Sequence, residues 1–280
     1  MSADASINMY GRIVMFCLTD KIRAQIPYKY SNAPIPGGGY VTGFAFHRRA
    51  PKILYARTDI GGVYRYLYDE RRWKSLIDHV TMLDIAESFP IAVALDDTRP
   101  ERLYIACGVN GEPYGKLCIS DDFGESFRYT SIPTMIHGNL SGRGTGMRLV
   151  VDESDSDTLY FASQTGGLLR SRDAGKSWEK LPLPEDYTTF VWVSADGHTI
   201  VAGTAGLTTK LDDKHRGHSM YVSYDAGASF EKLTEPAAYE IADCKMNGLV
   251  ASRYDYDGKY LYVTMNSTGR FNYIVDMGYS

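Results

Sequence analysis

Residues 171–178 read SRDAGKSW, and the phrase returns as SDDFGESF at 120–127 and SYDAGASF at 223–230. The copies share Ser-x-Asp-x-Gly-x-Ser-aromatic, and their starts lie 51 and 52 residues apart. A near-constant period of that size marks a repeat architecture. Within each copy the glycine supplies the positive φ of a tight turn. The aspartate offers acceptors to the turn's amides, and the serines add hydrogen bonds. The closing aromatic, Trp178 in the third unit, is expected to tuck its ring between sheets. The phrase is an Asp-box, so Asp122, Asp173 and Asp225 read as structural rather than catalytic.

Each box sits inside a longer unit. An apolar run opens it: GFAFH (43–47), IAVALD (91–96), MRLVVD (147–152), TFVWVS (189–194) and GLVAS (248–252). A polar turn follows, then a second run: ILYAR (53–57), RLYIA (102–106), TLYFA (158–162), TIVAG (199–203) and YLYVT (260–264). A glycine-bearing link, a third strand, the box and a closing strand such as WEKL (178–181) complete the unit. Short runs rich in Val, Ile, Tyr and Phe, punctuated by Asp, Gly and Pro, read as strands. Helical periodicity is absent apart from a possible turn near 82–88.

Four antiparallel strands every fifty residues or so predict an all-β fold, the β-propeller. Blades are expected near 43–76, 91–130, 147–182, 189–233 and 248–280, about four and a half in all, within a partial propeller spanning 30–280. Residues 1–29 form an extension that could lend a closing strand, and a closed ring of five blades is the alternative to a larger one. The first unit has lost its box: YLYDERRW (66–73) sets Tyr66 in the Ser place and Tyr68 in the Asp place.

In such a meander the first-to-second and third-to-fourth turns share one rim. The second-to-third links share the other rim with the connections between blades. The boxes should therefore rivet one rim, leaving the long loops on the opposite one for binding. Those loops include 34–43, 57–62, 77–90, 108–115, 131–146 and 206–218, and they carry Asp59, Tyr114, His137, Asn139, Arg143 and His215.

A net charge of −4 argues against an electrostatic grip on nucleic acid or anionic membrane. The 22 tyrosines suit β-structure and sugar stacking alike. Cys17, Cys107, Cys118 and Cys244 show no zinc spacing and read as free thiols, although Cys107 and Cys118 could meet across neighbouring strands. The histidines form no metal-binding spacing, the glycine runs precede no helix, and nucleophile elbows are absent. Neither a metal nor a cofactor is expected. The apolar run IVMFCL (13–18) is too short to span a membrane and makes a poor signal peptide, which points to a cytoplasmic chain as encoded.

Four stretches carry a resemblance: GGGYVTGFAFH…ILYARTDIGGVYRY (37–66), HGNLSGRGTGMRLVVD (137–152), TLYFASQTGGLLRSRDAGKSW (158–178) and YLYVTMNSTGR (260–270). Together they resemble the start of the first propeller of a glycoside hydrolase family 74 xyloglucanase. The resemblance implies two seven-bladed propellers facing across a cleft and inverting hydrolysis of the β-1,4-glucan backbone of xyloglucan. Carried onto this sequence, the general base is Asp59 in RTDIGG. Arg57, two positions before Asp59, points to the same side in a strand and could hold the carboxylate ionised, which makes it a substrate-site candidate, and Tyr114, Asn139 and Arg143 are further candidates for substrate binding. The resemblance places the general acid in a second propeller, so that a second domain or chain is the expected partner and the isolated chain is expected to be inactive. Members of this family are often secreted. A non-catalytic Asp-box propeller binding carbohydrate or protein is the alternative. A sialidase is disfavoured because RAQIPYKY (23–30) lacks the Arg-Ile-Pro opening.

Overall fold

The computed structural model describes residues 37–139, 147–205, 218–232, 246–254, 261–267 and 274–279. Among these residues five antiparallel sheets follow one another. The first holds β1 (Val41–Phe46), β2 (Leu54–Thr58), β3 (Val63–Leu67) and β4 (Arg72–Ser75). The second holds β5 (Pro90–Leu95), β6 (Leu103–Cys107), β7 (Gly115–Ser120) and β8 (Arg128–Ile132). The third is β9 (Leu149–Val151), β10 (Leu159–Ala162), β11 (Leu168–Ser171) and β12 (Glu179–Lys180). The fourth is β13 (Thr188–Val193), β14 (Ile200–Ala205), β15 (His218–Ser223) and β16 (Glu231–Lys232). β17 (Met246–Tyr254), β18 (Leu261–Ser267) and β19 (Ile274–Tyr279) make the fifth. A 3-10 helix at Met82–Ser88 lies where the sequence suggested a turn.

Sequential order in every sheet makes each one a meander. The first strands neighbour one another in turn, β1 with β5, β5 with β9, β9 with β13 and β13 with β17, which sets them around a common axis as propeller blades. The core is therefore a series of sheet-to-sheet layers. Between the first and second sheets lie Tyr55, Val63, Leu103 and Ile105. Tyr104, Leu117 and Ile119 meet Leu149, Leu159 and Phe161 between the second and third. Tyr160, Leu168, Val191 and Ile200 fill the next layer. Both faces of a middle blade are covered, which is why β6 reads LYIAC with every residue buried.

The Asp-boxes form as their sequence demands. In the third sheet Asp173 Oδ1 accepts from Ser171 Oγ at 2.8 Å and from Ser177 N at 2.8 Å, while Oδ2 accepts from Ser177 Oγ at 2.6 Å. Ser171 Oγ in turn accepts from Gly175 N at 2.8 Å. These bonds hold the carboxyl groups of Asp122, Asp173 and Asp225 down at about 2, serine hydroxyls and turn amides outweighing desolvation. Trp178 packs edge-on to Phe161 at 6.5 Å, so its ring does reach the layer between sheets.

Two features of the boxes go beyond the sequence reading. The residue before each glycine is also left-handed, with φ of 63° at Phe123, 57° at Ala174 and 55° at Ala226. Its N–H reaches the first turn of the same sheet: Phe123 to Glu101 O at 2.8 Å, Ala174 to Asp157 O at 2.8 Å and Ala226 to His198 O at 2.9 Å. Each box glycine also presses against a leucine of the preceding sheet. A Cβ there would meet Leu76 at 2.7 Å from Gly124, Leu117 at 2.3 Å from Gly175 and Leu181 at 2.9 Å from Gly227. In the first sheet, where the box is lost, Tyr66 and Tyr68 meet edge to face at 4.8 Å in place of the Ser–Asp hydrogen bond.

Candidate functional site

Bonds from the boxes to the first turns place both on one rim. The second-to-third links and the inter-sheet connections bind each other on the opposite rim: Gly62 N to Ser88 O at 3.1 Å, Gly108 N to Phe89 O at 3.2 Å, Gly138 N to Gly108 O at 3.2 Å and Thr188 N to Ser163 O at 2.9 Å. Asp59 lies on this second rim, away from the boxes. Register shifts fall near the same end of the first strand in four sheets, between Val41 and Gly43, Pro90 and Ala92, Thr188 and Phe190, and Met246 and Gly248. Bulges bend a strand and re-aim the side chains beyond them, so the axial ends of the blades turn on this rim.

The Asp59 loop leaves β2 and closes on itself. Thr58 N reaches Gly62 O at 3.0 Å, and Thr58 Oγ1 accepts from Gly61 N at 2.8 Å. Two other segments then pack directly on it. A Cβ at Gly61 would sit 2.1 Å from Gly38 O, and one at Gly62, whose φ is +75°, would sit 2.4 Å from Ile77 Cδ1. The pair of glycines in RTDIGG is thus demanded by close approach on both sides. Asp59 is 8% exposed, its N–H donating to Tyr40 O at 3.0 Å and its Oδ1 accepting from Tyr40 N at 2.7 Å.

Arg57 is as buried as Asp59, and its Nη1 donates to Thr42 Oγ1 at 2.8 Å. Its guanidinium lies over Gly43, the residue directly opposite it in β1, where a Cβ would stand 3.0 Å from Nε. Burial, and then the charge of Arg148, pull the Arg57 group down to about 10. Arg148 is itself fully buried, donating to Ala162 O at 3.0 Å and to Thr188 O, and lies 5.9 Å from the centre of the Tyr187 ring. Two guanidinium groups thus share the interior near the first strands, and desolvation lowers both.

Tyr114, in the 108–115 link, is 62% exposed on the Asp59 rim. Asn139 is exposed there too, its N–H donating to His137 Nδ1 at 3.1 Å. Among the described residues no hydrogen bond joins Tyr114 or Asn139 to the Asp59 loop. Arg143 and His215 lie outside the described residues. Trp192, inside the apolar run 189–194, is half-buried. Sequence reasoning singled out neither Gly39 nor Tyr40, although both lie in the 34–43 loop and in the 37–66 stretch that carries the resemblance, and Tyr40 N binds the carboxylate.

A pocket of about 160 Å³ between the third and fourth sheets is lined by Asp152, Tyr160, Arg172, Asp196 and His198. It lies on the Asp-box rim, so it is separate from the Asp59 loop. Among the described residues no group of His, Cys, Asp or Glu converges as a metal centre, and no helix is long and apolar enough to cross a membrane.

The chain is 33% identical over 235 residues to a xyloglucanase of a Paenibacillus species, covering 76% of this chain and 23% of that protein. Over 229 residues it is 33% identical to the xyloglucanase Xgh74A of Acetivibrio thermocellus, covering 74% of this chain and 27% of the relative. Among solved structures, a GH74 enzyme of Niastella koreensis superposes with a TM-score of 0.73 at 25% identity, covering 89% of this chain and 36% of that one. The chain is a xyloglucanase-like propeller of glycoside hydrolase family 74. No protein-family model matches it. This xyloglucanase-like propeller spans about a quarter of the length of those curated relatives, 23% and 27%.

Proposed function

We propose that the propeller supplies the general-base half of an inverting glycoside hydrolase that cuts the β-1,4-glucan backbone of xyloglucan. Asp59 is the base, and a second propeller, as a further domain or a separate chain, carries the acid. Arg57, which binds Thr42 on β1, belongs to the substrate site, and Tyr114, Asn139 and Arg143 contact the polysaccharide. The observation that carries this reading is the placement of Asp59. Its carboxylate stands on the loop rim, opposite the riveted one, with Oδ1 held by the Tyr40 amide. In the reaction Asp59 removes a proton from a water that attacks the anomeric carbon, while the partner acid protonates the departing oxygen. The water needs the two carboxyl groups about 6.5–9.5 Å apart, a gap that a cleft between two propellers provides.

One observation favours a second reading, a non-catalytic carbohydrate-binding propeller. A carboxylate that is 8% exposed and bound to an amide also serves to fasten a loop. Asp59→Asn separates the two, because it keeps the acceptor oxygen and the size. Xyloglucan hydrolysis is measured with the acid-bearing propeller present. A catalytic base predicts a fall in kcat of roughly 10²–10⁴-fold with the thermal midpoint nearly unchanged. A wild-type rate in the variant would sink the catalytic assignment.

A further inference from the structure

We infer that Tyr40 is a sugar-contacting residue of the Asp59 site, its ring a stacking platform for a pyranose beside the carboxylate. The inference rests on the reading of Asp59 given above and adds to it a residue that the RTDIGG stretch does not contain. Tyr40 is tied to Asp59 from both sides, its N–H donating to Oδ1 at 2.7 Å and its carbonyl accepting from Asp59 N at 3.0 Å. Those two bonds fix the backbone from which the ring projects. The residue is nevertheless 69% exposed. Among the described residues its hydroxyl takes no hydrogen bond, and no other aromatic ring meets it.

The residues before Tyr40 keep the approach clear. A Cβ at Gly39, whose φ is +102°, would lie 3.0 Å from Asp59 Oδ1 and would crowd the carboxylate. A Cβ at Gly38 would meet nothing within 4 Å. No side chain at 37–39 therefore stands between ring and carboxylate. An aromatic face left bare beside a polar, anchored acid suits a sugar ring, which presents C–H groups on one face and hydroxyls around its edge.

The test is calorimetric titration of the full chain with a xylose-substituted cellotetraose, in three forms: wild type, Tyr40→Ala and Tyr40→Phe. Stacking predicts binding roughly tenfold weaker for Tyr40→Ala and within about twofold for Tyr40→Phe. If Tyr40→Ala binds like the wild type, the inference on Tyr40 fails and the catalytic reading stands. If Tyr40→Phe loses as much as Tyr40→Ala, stacking is overturned in favour of the hydroxyl. Should the wild type itself ignore the oligosaccharide, the xyloglucan reading goes, and the inference with it.

Discussion

Gly175→Ala tests what an Asp-box glycine does. The residue has φ of +85°, and a Cβ built there would lie 2.3 Å from Leu117 Cδ2. Alanine in the left-handed region costs about 1–2 kcal/mol relative to glycine. The second cost is steric, since carbon atoms in contact prefer about 3.5–4.0 Å. Leu117 is fully buried between the second and third sheets, so its methyl group must swing against packed neighbours. Overpacking of this kind costs about 1–3 kcal/mol, the lower end applying where the obstacle is the tip of a flexible side chain. Together the two predict a loss of about 2–3 kcal/mol.

The parts can be separated by a cycle with Leu117→Ala, which removes the obstacle. In that background Gly175→Ala should cost only the backbone share, about 1–2 kcal/mol, leaving a coupling near 1 kcal/mol. Urea unfolding followed by Trp178 fluorescence is a suitable assay, because that indole sits three residues from the substitution and against Phe161. An identical penalty in both backgrounds would refute the contact between sheets and leave only the φ requirement. No penalty in either would refute both.

Two further predictions concern groups with shifted ionisation. Asp173 titrates at about 2 in the folded chain, below the ordinary carboxylate value, so its contribution is complete above about pH 4–5 and fades as pH falls towards 2. Asp173→Asn should therefore cost about 1 kcal/mol at pH 7, small because the rim is exposed, and the urea midpoints of variant and wild type should converge near pH 2; a gap that persists in acid would be contrary to this account. Cys118 lies 3.6 Å from Cys107 Sγ and is buried, and the contact and desolvation push its thiol well above the usual range. It should resist iodoacetamide at pH 8.5 in the folded chain and react in strong urea, as read by peptide mass spectrometry, whereas equal labelling in both states would show an accessible thiolate.

The blades were legible because their signals are local. Turn residues at fixed offsets and five-residue apolar runs name the strands, and a period near fifty orders them. The Ser–Asp hydrogen bonds in the box follow from the identities of the side chains. Less legible was whatever depends on a residue far away in sequence. Nothing in SRDAGKSW says that Gly175 faces Leu117, and nothing marks Ala174 as left-handed, since alanine has no preference for that region. The same limit applied to Arg57. Its place two residues before Asp59 does not tell that its guanidinium lies over Gly43 and donates to Thr42. Asp59 itself was found by resemblance, because an aspartate before two glycines is an ordinary turn in a single sequence.

The two rims hold their carboxylates differently, and the difference bears on function. On the box rim each aspartate is held by the serines and amides of its own turn, so that hydrogen-bonded unit is local and can be repeated. On the Asp59 rim, segments far apart in sequence meet at glycines, with Gly61 against Gly38 and Gly62 against Ile77. Such packing tolerates no Cβ, and it holds the nearly buried Asp59 carboxylate in one orientation. The cost is dependence on segment 37–40, whose displacement would release Asp59 Oδ1 and open the loop together. Ligand binding and loop order on this rim should therefore change as one, whereas damage to a single Asp-box on the other rim should lower stability and leave sugar affinity alone.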